Sequence, residues 1–429
     1  MTKPATGRVV VTGLGVVAPN GLGHREFWNN CMAGRPGIRK ITAFPTDGLT
    51  AKIAGIVEGF TPGDWRIPKA LADRTDRYVH FAMAASAMAV EHARLDAGTL
   101  AGERTGVCIA TAIAGTPYME RVFLASTERA TGPVDSHAVP ADLYLNAGFN
   151  GATSAVAGHY GAAGPVMSLA TGCTAGLDAL GYALDCIRAG DADIMLAGAS
   201  EAPLTPLAMA AFDVIGALTN SRNDCPERAS RPFDKTRDGF VLGEGSGVLV
   251  LESYEHARAR GARILAELSG FGSTCNAYHM TDLPPDGEAL CRAAALAVED
   301  AGISPEAIDH VNAHGSSTPQ NDANESFALV KLMGDHAKTI PVCSLKSMNG
   351  HALSAANAIE AVACVLSLMH QEVPPTINYE EPDPDCFLDY VPNIGRKASM
   401  DHVLKTASGF SGIHSAVVFR RYRDEESQS

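Results

Sequence analysis

The sequence predicts an α/β fold in which layers of helix and strand alternate. Short apolar runs at residues 8–12, 105–110, 193–198 and 247–252 have the pattern of buried strands, and alanine-rich stretches with helical spacing lie between them. The 42 glycines support the same class, because glycine lets a helix pack closely on a strand. At 429 residues the chain is long enough for a large core and for two or three domains.

An internal repeat is the third observation. The segment AMAVEH at 87–92 recurs as ALAVED at 295–300, and each is followed by a loop and a predicted strand, at 106–110 and 308–313. The segments SLATGCTAG and SLKSMNGH also correspond, since each follows an apolar run, contains a turn and leads into an Ala/Leu-rich helix. We therefore predict two related halves, residues 1–260 and 261–429, divided near the polar run EHARARGAR.

Composition excludes several classes of protein. The net charge of −14 argues against nucleic acid as the main partner. The chain has no apolar stretch of membrane-spanning length, and its N-terminal segment lacks the apolar block of a signal peptide, so we expect a cytoplasmic location. The ten cysteines are scattered singly without Cys-x-x-Cys spacing, which predicts reduced thiols and no metal site.

A possible dinucleotide-binding motif lies near the N-terminus. The segment VVVTGLGVVAP matches Gly-x-Gly-x-x-Ala after a strand. However, Pro19 and the Asn20-Gly21 turn fall where the phosphate-binding helix should continue, and no acidic residue ends a second strand at the expected distance. We interpret the segment as a glycine-rich turn between a strand and a loop.

Cys173 is a candidate nucleophile. Leu177, Leu180, Leu184 and Ile187 recur at spacings of three and four, which predicts a helix from about residue 174 to Gly190. Cys173 then lies at the helix N-terminus, where unpaired backbone N–H groups and the helix dipole favour thiolate over thiol. A buried structural cysteine is the alternative, because free cysteine behaves as a small apolar residue.

Two histidine motifs favour the catalytic interpretation. NAHGSSTPQND places His314 just past a predicted strand, and KSMNGHALSAANAIE places His351 in a turn before a helix. Both settings parallel that of Cys173. The three residues therefore suggest one convergent site.

These segments resemble the condensing enzymes of the thiolase fold, specifically the β-ketoacyl-[acyl carrier protein] synthases. The resemblance covers nearly the whole chain and includes TGCTAGLDA, RPFDKTRDGFVLGEG at 231–245, the two histidine motifs and GFSGIHSA at 409–416. It implies an α-β-α-β-α layered architecture built from two duplicated halves. The first half carries the cysteine and the second carries both histidines.

The resemblance also implies roles for the central residues. Cys173 would accept an acyl chain from a carrier-protein phosphopantetheine thioester. His314 and His351 would hold the malonyl thioester, and their two N–H groups would stabilise the enolate formed on decarboxylation. The backbone N–H groups of Cys173 and Phe410 would bind the acyl carbonyl, and Phe410 would be a gate between the acyl and malonyl halves of the site.

The same resemblance assigns supporting residues. Lys346 and Glu360 match an ion pair that orients the histidines. Other matched positions are the acidic residues behind His314 and the hydroxyls that bind the pantetheine arm, namely Asp322, Glu325, Ser316 and Thr318. No metal or resident organic cofactor is expected, because phosphopantetheine arrives on the acyl carrier protein.

Five positions depart from the family pattern. Ser316 replaces the usual threonine after His-Gly and keeps the hydroxyl. Ser354 and Asn357 replace two common glycines beside His351, Ser411 replaces the glycine after Phe410, and Gly216 stands where a basic docking residue is often found. A docking patch for an acidic carrier protein could come from Arg66, Lys69, Arg74 and Arg77, although ordinary surface charge explains them equally well.

Within the family, the motifs favour the catalytic ketosynthase (alpha) subunit of a type II polyketide synthase, which extends a chain by decarboxylative Claisen condensation with malonyl-[acyl carrier protein]. Such a subunit pairs with a homologous chain-length factor. The alternative is a homodimeric β-ketoacyl-[acyl carrier protein] synthase II of fatty-acid synthesis. A non-catalytic chain-length factor is disfavoured by the presence of Cys173 and both histidines.

Overall fold

A computed structural model describes residues 7–423, so the polar N-terminal lead and the last six residues lie outside the described part. The helices run as follows: α1 His24–Met32, α2 Lys69–Ala72, α3 Arg77–Ala93, α4 Ala97–Leu100, α5 Thr116–Ser126, α6 Leu143–Ala147, α7 Gly151–Tyr160, α8 Ala175–Ala189, α9 Pro206–Asp213, α10 Tyr254–Ala259, α11 Glu288–Asp300, α12 Pro319–Met333, α13 Lys346–Asn349 and α14 Ser354–His370. The strands run as follows: β1 Val9–Ala18, β2 Gly21–Leu22, β3 Ile38–Lys40, β4 Ile53–Gly55, β5 Thr105–Ala110, β6 Val166–Met167, β7 Ile194–Glu201, β8 Gly245–Ser253, β9 Ala266–Cys275, β10 His310–Asn312, β11 Val342–Cys343, β12 Glu372–Val373, β13 Arg396–Lys397, β14 His402–Ser408 and β15 Ile413–Arg420.

The main sheet has an internal two-fold repeat. Its strand order is β11-β10-β14-β15-β9-β1-β8-β7-β5-β6, with β2 added beside β1. Outward from β1, the pairings to β8, β7, β5 and β6 are antiparallel, antiparallel, parallel and parallel. Outward from β9, the pairings to β15, β14, β10 and β11 follow the same series. The halves expected from the sequence repeat are therefore visible in the topology.

The two halves join through a short seam. Strands β1 and β9 pair antiparallel at only two positions, Val10 with Glu267 and Val11 with Ala266. Helices α8 and α14 occupy corresponding places in the two halves and pack against each other. They form a central helical layer between the inner faces of the two half-sheets, where the largest apolar cluster lies.

Alternation along the strands separates the inner and outer layers. In β7, Met195 and Ala197 face the central cluster, while Leu196 packs under α3 and α7. In β14, Val403 faces inward and Leu404 packs under α11 and α12. Because side chains of a strand point alternately to opposite faces, each half-sheet is covered on both sides. The result is the expected α-β-α-β-α order.

The glycines near the N-terminus lie inside a strand. The sequence interpretation placed a turn after residue 12, but β1 continues to Ala18 with every residue buried. A Cβ on Gly13 or Gly15 would run into the backbone of α3, at Ala89 and Ala85. These glycines therefore allow close helix packing, and the rejection of a dinucleotide-binding loop agrees with the structure.

The helix predicted after Cys173 is present as α8, which ends at Ala189 and is capped by Gly190 with a positive φ of 80°. The proposed boundary between residues 260 and 261 falls in the connection from α10 to β9. Between residues 7 and 423, no helix is both long enough and apolar enough to span a membrane.

Candidate active site

Cys173 lies in a short turn of 3₁₀ helix, Gly172–Thr174, that leads directly into α8. Burial raises the pKa of its thiol to about 11, although the charge of Lys346 and the backbone N–H groups of Phe410 and Cys173 itself act in the opposite direction. Burial thus works against the thiolate that the sequence analysis expected the helix terminus to favour. The two N–H groups predicted to bind an acyl carbonyl both lie beside the sulfur.

The two histidines meet over the same cavity. Their ring centroids lie 5.1 Å apart and the rings are nearly perpendicular, at 83°. His314 follows β10, and its backbone N–H donates to Glu325 Oε1 at 2.8 Å. His351 follows α13, and its backbone N–H donates to the carbonyl of Val241 at 2.7 Å. Backbone hydrogen bonds thus hold His314 just after the end of β10 and His351 just after the end of α13.

Both imidazoles are neutral near neutral pH. Burial lowers the pKa of His314 well below its usual value, and Lys346, His351 and Lys405 lower it further. Burial followed by the two lysine charges does the same to the pKa of His351. A neutral imidazole carries one N–H donor and one acceptor nitrogen.

A buried ionic network lies under the histidines. Lys346 Nζ lies 2.8 Å from both oxygens of Glu360 and donates to the carbonyl of His314 at 2.7 Å. Burial lowers the pKa of Lys346 to about 8. Lys405 also lies 2.8 Å from Glu360 and donates to the carbonyl of Ala313 at 3.3 Å. Sequence analysis identified Lys346 and Glu360 but missed Lys405, whose only signal is a lysine within the apolar strand β14.

The acidic residues predicted behind His314 hold its loop. Glu325 is fully buried and binds the N–H groups of His314 and Gly315 with its two oxygens, each at 2.8 Å. Asp322 accepts the N–H of Phe233 at 2.8 Å and lies 3.5 Å from Arg237. Burial raises the pKa of Asp322 to about 6, although the charge of Arg237 opposes the shift.

Residues 231–245 also help to hold the loop and helix that follow His314. Arg231 pairs with Asp234 at 2.9 Å, and the other oxygen of Asp234 accepts the N–H groups of Glu380 and Glu381 at 2.7 Å. Arg237 donates to the carbonyl of Pro319 at 2.8 Å, at the start of α12. The sequence analysis used this segment only as evidence for the family resemblance. Its supporting contacts could not be predicted, because the partner residues lie far along the chain.

The cavity has a volume of about 330 Å³. Cys173, both histidines and Phe410 line it together with the predicted pantetheine-binding hydroxyls of Ser316 and Thr318. These two hydroxyls lie 2.8 Å apart. Apolar side chains that also line it are Phe212, Ile215, Phe240 and Leu353, and polar ones include Asp238, Asp282 and Gln320.

Phe410 is half-buried at the cavity wall, with its ring 6.4 Å from that of Phe212. The next residue, Ser411, has φ of 67°, a conformation that glycine adopts more easily. Its N–H donates to the carbonyl of Met280 at 2.6 Å. The departure at Ser411 therefore places a strained residue directly after the predicted gate.

The two other departures in this region, Ser354 and Asn357, both make buried hydrogen bonds. Ser354 donates to Glu201 at 2.5 Å, and Asn357 Nδ2 donates to the carbonyl of Cys173 at 2.6 Å. Glu201 is fully buried, and burial raises its pKa to about 7 against hydrogen bonds from Ser354 and backbone N–H groups. Sequence analysis did not single out Glu201.

The predicted docking residues lie apart from the catalytic groups. Arg66, Lys69 and Arg74 are exposed. Arg77 instead donates to both oxygens of Glu244, at 2.9 and 3.0 Å, so its charge is engaged within the fold. Gly216 lines the cavity with φ of 66°.

The described residues contain no group of three or more His, Cys, Asp or Glu side chains arranged to hold a metal ion. All ten cysteines are free.

Comparison with known proteins identifies the family. Residues 6–257 match the family described as "Beta-ketoacyl synthase, N-terminal domain", and residues 265–380 match "Beta-ketoacyl synthase, C-terminal domain". The fold and site define a thiolase-fold condensing enzyme of the acyltransferase class. The chain belongs to the β-ketoacyl synthase family.

Several relatives match over nearly their whole length. The chain is 48% identical to a putative polyketide beta-ketoacyl synthase 1 of Streptomyces cyaneus, covering 96% of this chain and 98% of the relative. It is 42% identical to the tetracenomycin polyketide synthase ketoacyl synthase alpha subunit of Streptomyces glaucescens, with full coverage of both. It is also 42% identical to a 3-oxoacyl-[acyl-carrier-protein] synthase 2 of Synechocystis, covering 97% and 98%.

Solved structures show the same fold. One is a type II polyketide synthase acyl-carrier protein in complex with its ketosynthase bound to the hexaketide, with a TM-score of 0.91, 48% identity, and coverage of 97% of this chain and 100% of that one. Another is the ishigamide ketosynthase/chain length factor, with a TM-score of 0.89, 37% identity and coverage of 98% and 100%.

Proposed function

We propose that this chain is the catalytic ketosynthase subunit of a type II polyketide synthase, which extends a polyketide by decarboxylative Claisen condensation with malonyl-[acyl carrier protein]. The convergence of Cys173, His314, His351 and Phe410 on one cavity carries the proposal. Phosphopantetheine enters on the acyl carrier protein, and the reaction requires no resident cofactor.

The first step transfers the acyl chain to Cys173. The sulfur attacks the carbonyl carbon of the carrier thioester, the bond from that carbon to the phosphopantetheine sulfur breaks, and the proton of the Cys173 thiol passes to the leaving phosphopantetheine sulfur. Negative charge develops on the acyl oxygen in this step. The backbone N–H groups of Cys173 and Phe410 lie beside the sulfur, where they would stabilise that oxygen.

The second step uses the malonyl thioester. Loss of CO₂ leaves an enolate, and a neutral imidazole N–H aimed at its oxygen stabilises the developing charge. His314 and His351 hold the malonyl group in this role. The enolate carbon attacks the acyl carbonyl, the bond to Cys173 breaks, and the β-ketoacyl chain remains on the carrier. Phe410 separates the acyl and malonyl sides.

Ser316 and Thr318 would bind the pantetheine arm. Their hydroxyls lie at the cavity wall, and each can donate to or accept from an amide of the arm. The exposed cations Arg66, Lys69 and Arg74 would contact an acidic carrier protein. Ten free cysteines support a reducing, cytoplasmic location.

An exposed apolar surface supports a partner subunit. The surface runs along α5, α6, the connection from α6 to α7 and the edge strand β6, and these elements lie next to one another. Its exposed apolar side chains are Met119, Phe123, Leu124, Tyr144, Leu145, Phe149, Val166 and Met167. Apolar surface of this extent favours a protein interface. We propose a homologous chain-length factor as the partner, with homodimerisation as the fatty-acid-type alternative.

One experiment separates these two assemblies. The native mass of the complex is measured after co-expression with a candidate homologous subunit, followed by intact mass after addition of acyl-carrier substrate. A one-to-one complex acylated on this chain alone supports the proposal. A self-paired dimer that extends chains by itself favours the fatty-acid role.

Two variants test the chemistry. Cys173→Ala should lose acyl transfer and chain extension, because the attacking sulfur is gone. His351→Ala should still become acylated at Cys173 but lose most malonyl decarboxylation, measured as CO₂ release. Full condensation by Cys173→Ala would reject the proposed function.

A further inference from the structure

Asp178 has no role in the steps described above, although it lies in the first turn of α8, directly after the cysteine turn. Its side chain is buried, and both of its carboxylate oxygens accept hydrogen bonds from hydroxyl groups. Oδ2 accepts from Thr171 and lies 2.9 Å from the hydroxyl of Thr174. These two threonines flank Gly172 and Cys173, so one oxygen holds both ends of the turn that carries the sulfur.

The other oxygen of Asp178 is bonded to the second half of the molecule. Oδ1 accepts from the hydroxyl of Ser415 at 2.5 Å. Ser415 lies on β15, which begins at Ile413, directly after the turn that contains Phe410. The N–H of Gly409 donates to the carbonyl of Ile413 at 2.8 Å, which closes that turn onto the start of β15. The positions of Ser415 and Phe410 are therefore linked through the backbone.

The two segments that Asp178 holds meet at the sulfur. Gly409 packs against the cysteine turn, since a Cβ added to it would lie 3.5 Å from the backbone nitrogen of Cys173. The backbone N–H groups of Cys173 and Phe410 both lie beside the sulfur, and each segment supplies one of them. Burial raises the pKa of Asp178, and the hydrogen bonds from the three hydroxyls oppose that shift. The buried carboxyl thus joins the two segments whose N–H groups lie beside the nucleophile.

We infer that Asp178 is a positioning residue that sets the distance between the two N–H groups of the acyl oxyanion hole. The inference rests on the proposed function, because these N–H groups act there on the acyl carbonyl. The carboxyl acts through the two backbone segments, and no covalent step is added. An oxyanion hole depends on donors that are held in advance where charge develops, so a small displacement of one donor slows the step.

Two reactions at the same sulfur test this role. Acylation of Cys173 by an acyl-carrier thioester develops charge on the acyl oxygen and needs the oxyanion hole. Alkylation by iodoacetamide displaces iodide at a saturated carbon and does not need it. Asp178→Ala should slow acylation by roughly tenfold or more, because one donor moves out of place. Its alkylation rate at the same pH should not decrease. Intact mass follows both reactions.

Two milder variants and a control sharpen the test. Asp178→Asn keeps the size of the side chain and one acceptor oxygen, so it should lose less acylation than Asp178→Ala. Ser415→Ala breaks only the link to β15 and should also slow acylation without slowing alkylation. Ser246→Ala is the matched control, because Ser246 is an equally buried strand serine whose hydroxyl donates to the carbonyl of Ala199 at 2.9 Å. It should leave both rates unchanged.

A purely structural role predicts a different pattern. If Asp178 only stabilised the fold, acylation and alkylation would decline together in its variants. That result, or a native acylation rate in folded Asp178→Ala, overturns the inference. If Asp178→Ala does not fold, the ratio of the two rates in Asp178→Asn and Ser415→Ala decides in the same way. Failure of the native enzyme to be acylated, with its alkylation intact, would instead reject the proposed function.

Discussion

At the scale of single residues, Glu201 influences Cys173 without facing the substrate. Its charge contributes to raising the pKa of the thiol. Glu201→Gln removes the charge and keeps the shape, so we expect the pKa of Cys173 to fall and the thiolate fraction at a given pH to rise. The pH dependence of Cys173 alkylation, followed by peptide mass, measures this. An unchanged or higher pKa would contradict the prediction.

The same carboxyl predicts a pH dependence of stability. Its pKa is about 7 in the folded protein against an ordinary value of 4.5, so the folded state holds a proton that the unfolded state has lost between these values. The contribution of Glu201 to stability therefore falls as pH rises through this window. The free energy of unfolding, measured in urea, should decrease between pH 5 and pH 8. This decrease should be smaller for Glu201→Gln than for the native chain.

Ser411 provides a test of backbone strain. At φ of 67° a β-branched side chain is unfavourable, whereas glycine is not. Ser411→Val should be less stable than Ser411→Gly by about 1–2 kcal/mol in denaturant unfolding. Equal stabilities would indicate that the loop relaxes freely around Phe410.

At the scale of elements, α13, α14 and β14 meet through Lys346, Glu360 and Lys405. Glu360→Ala leaves two buried ammonium groups unpaired and should cost about 3–5 kcal/mol. Lys405→Met leaves the pair of Lys346 and Glu360 intact at 2.8 Å. It should therefore lower the free energy of unfolding by less than Glu360→Ala does. Urea unfolding of both variants checks the order, and a larger loss in Lys405→Met would contradict it.

The elements also show what local sequence can predict. Spacing of apolar residues predicted α8, and the motifs predicted that His314 lies just past a strand and that His351 lies in a turn before a helix, because these signals are local. The partners of Glu201 and Lys405 are side chains or carbonyls far along the chain, so their roles could not be predicted. The extension of β1 past Gly13 was missed for the same reason, since those glycines serve packing against α3.

At the scale of the whole molecule, the sequence repeat predicted the two halves, but the seam between β1 and β9 follows only from the assembled sheet. Roles carried by family motifs, such as the pair of Lys346 with Glu360, could be assigned before any geometry was known. Contacts made by departures from the motif, such as Asn357, could not.

The exposed apolar surface predicts assembly. Tyr144 and Phe149 are 80% and 46% exposed, and we expect Tyr144→Asp with Phe149→Asp to shift the native mass toward a single chain, because charge disfavours burial at an interface. Ile394→Asp is the matched control, since Ile394 is 79% exposed elsewhere. Equal native masses for the two variants would place the interface on another surface.

Strand β6 ends at Met167, six residues before Cys173, and both of its residues are exposed at the sheet edge. A neighbouring subunit seated there would stabilise the chain segment that carries the sulfur. The enzyme would then respond to its own abundance: on dilution below the association threshold, turnover per chain would decline before the protein unfolds. Synthesis of the product would begin only after enough subunits have accumulated in the cell to pair.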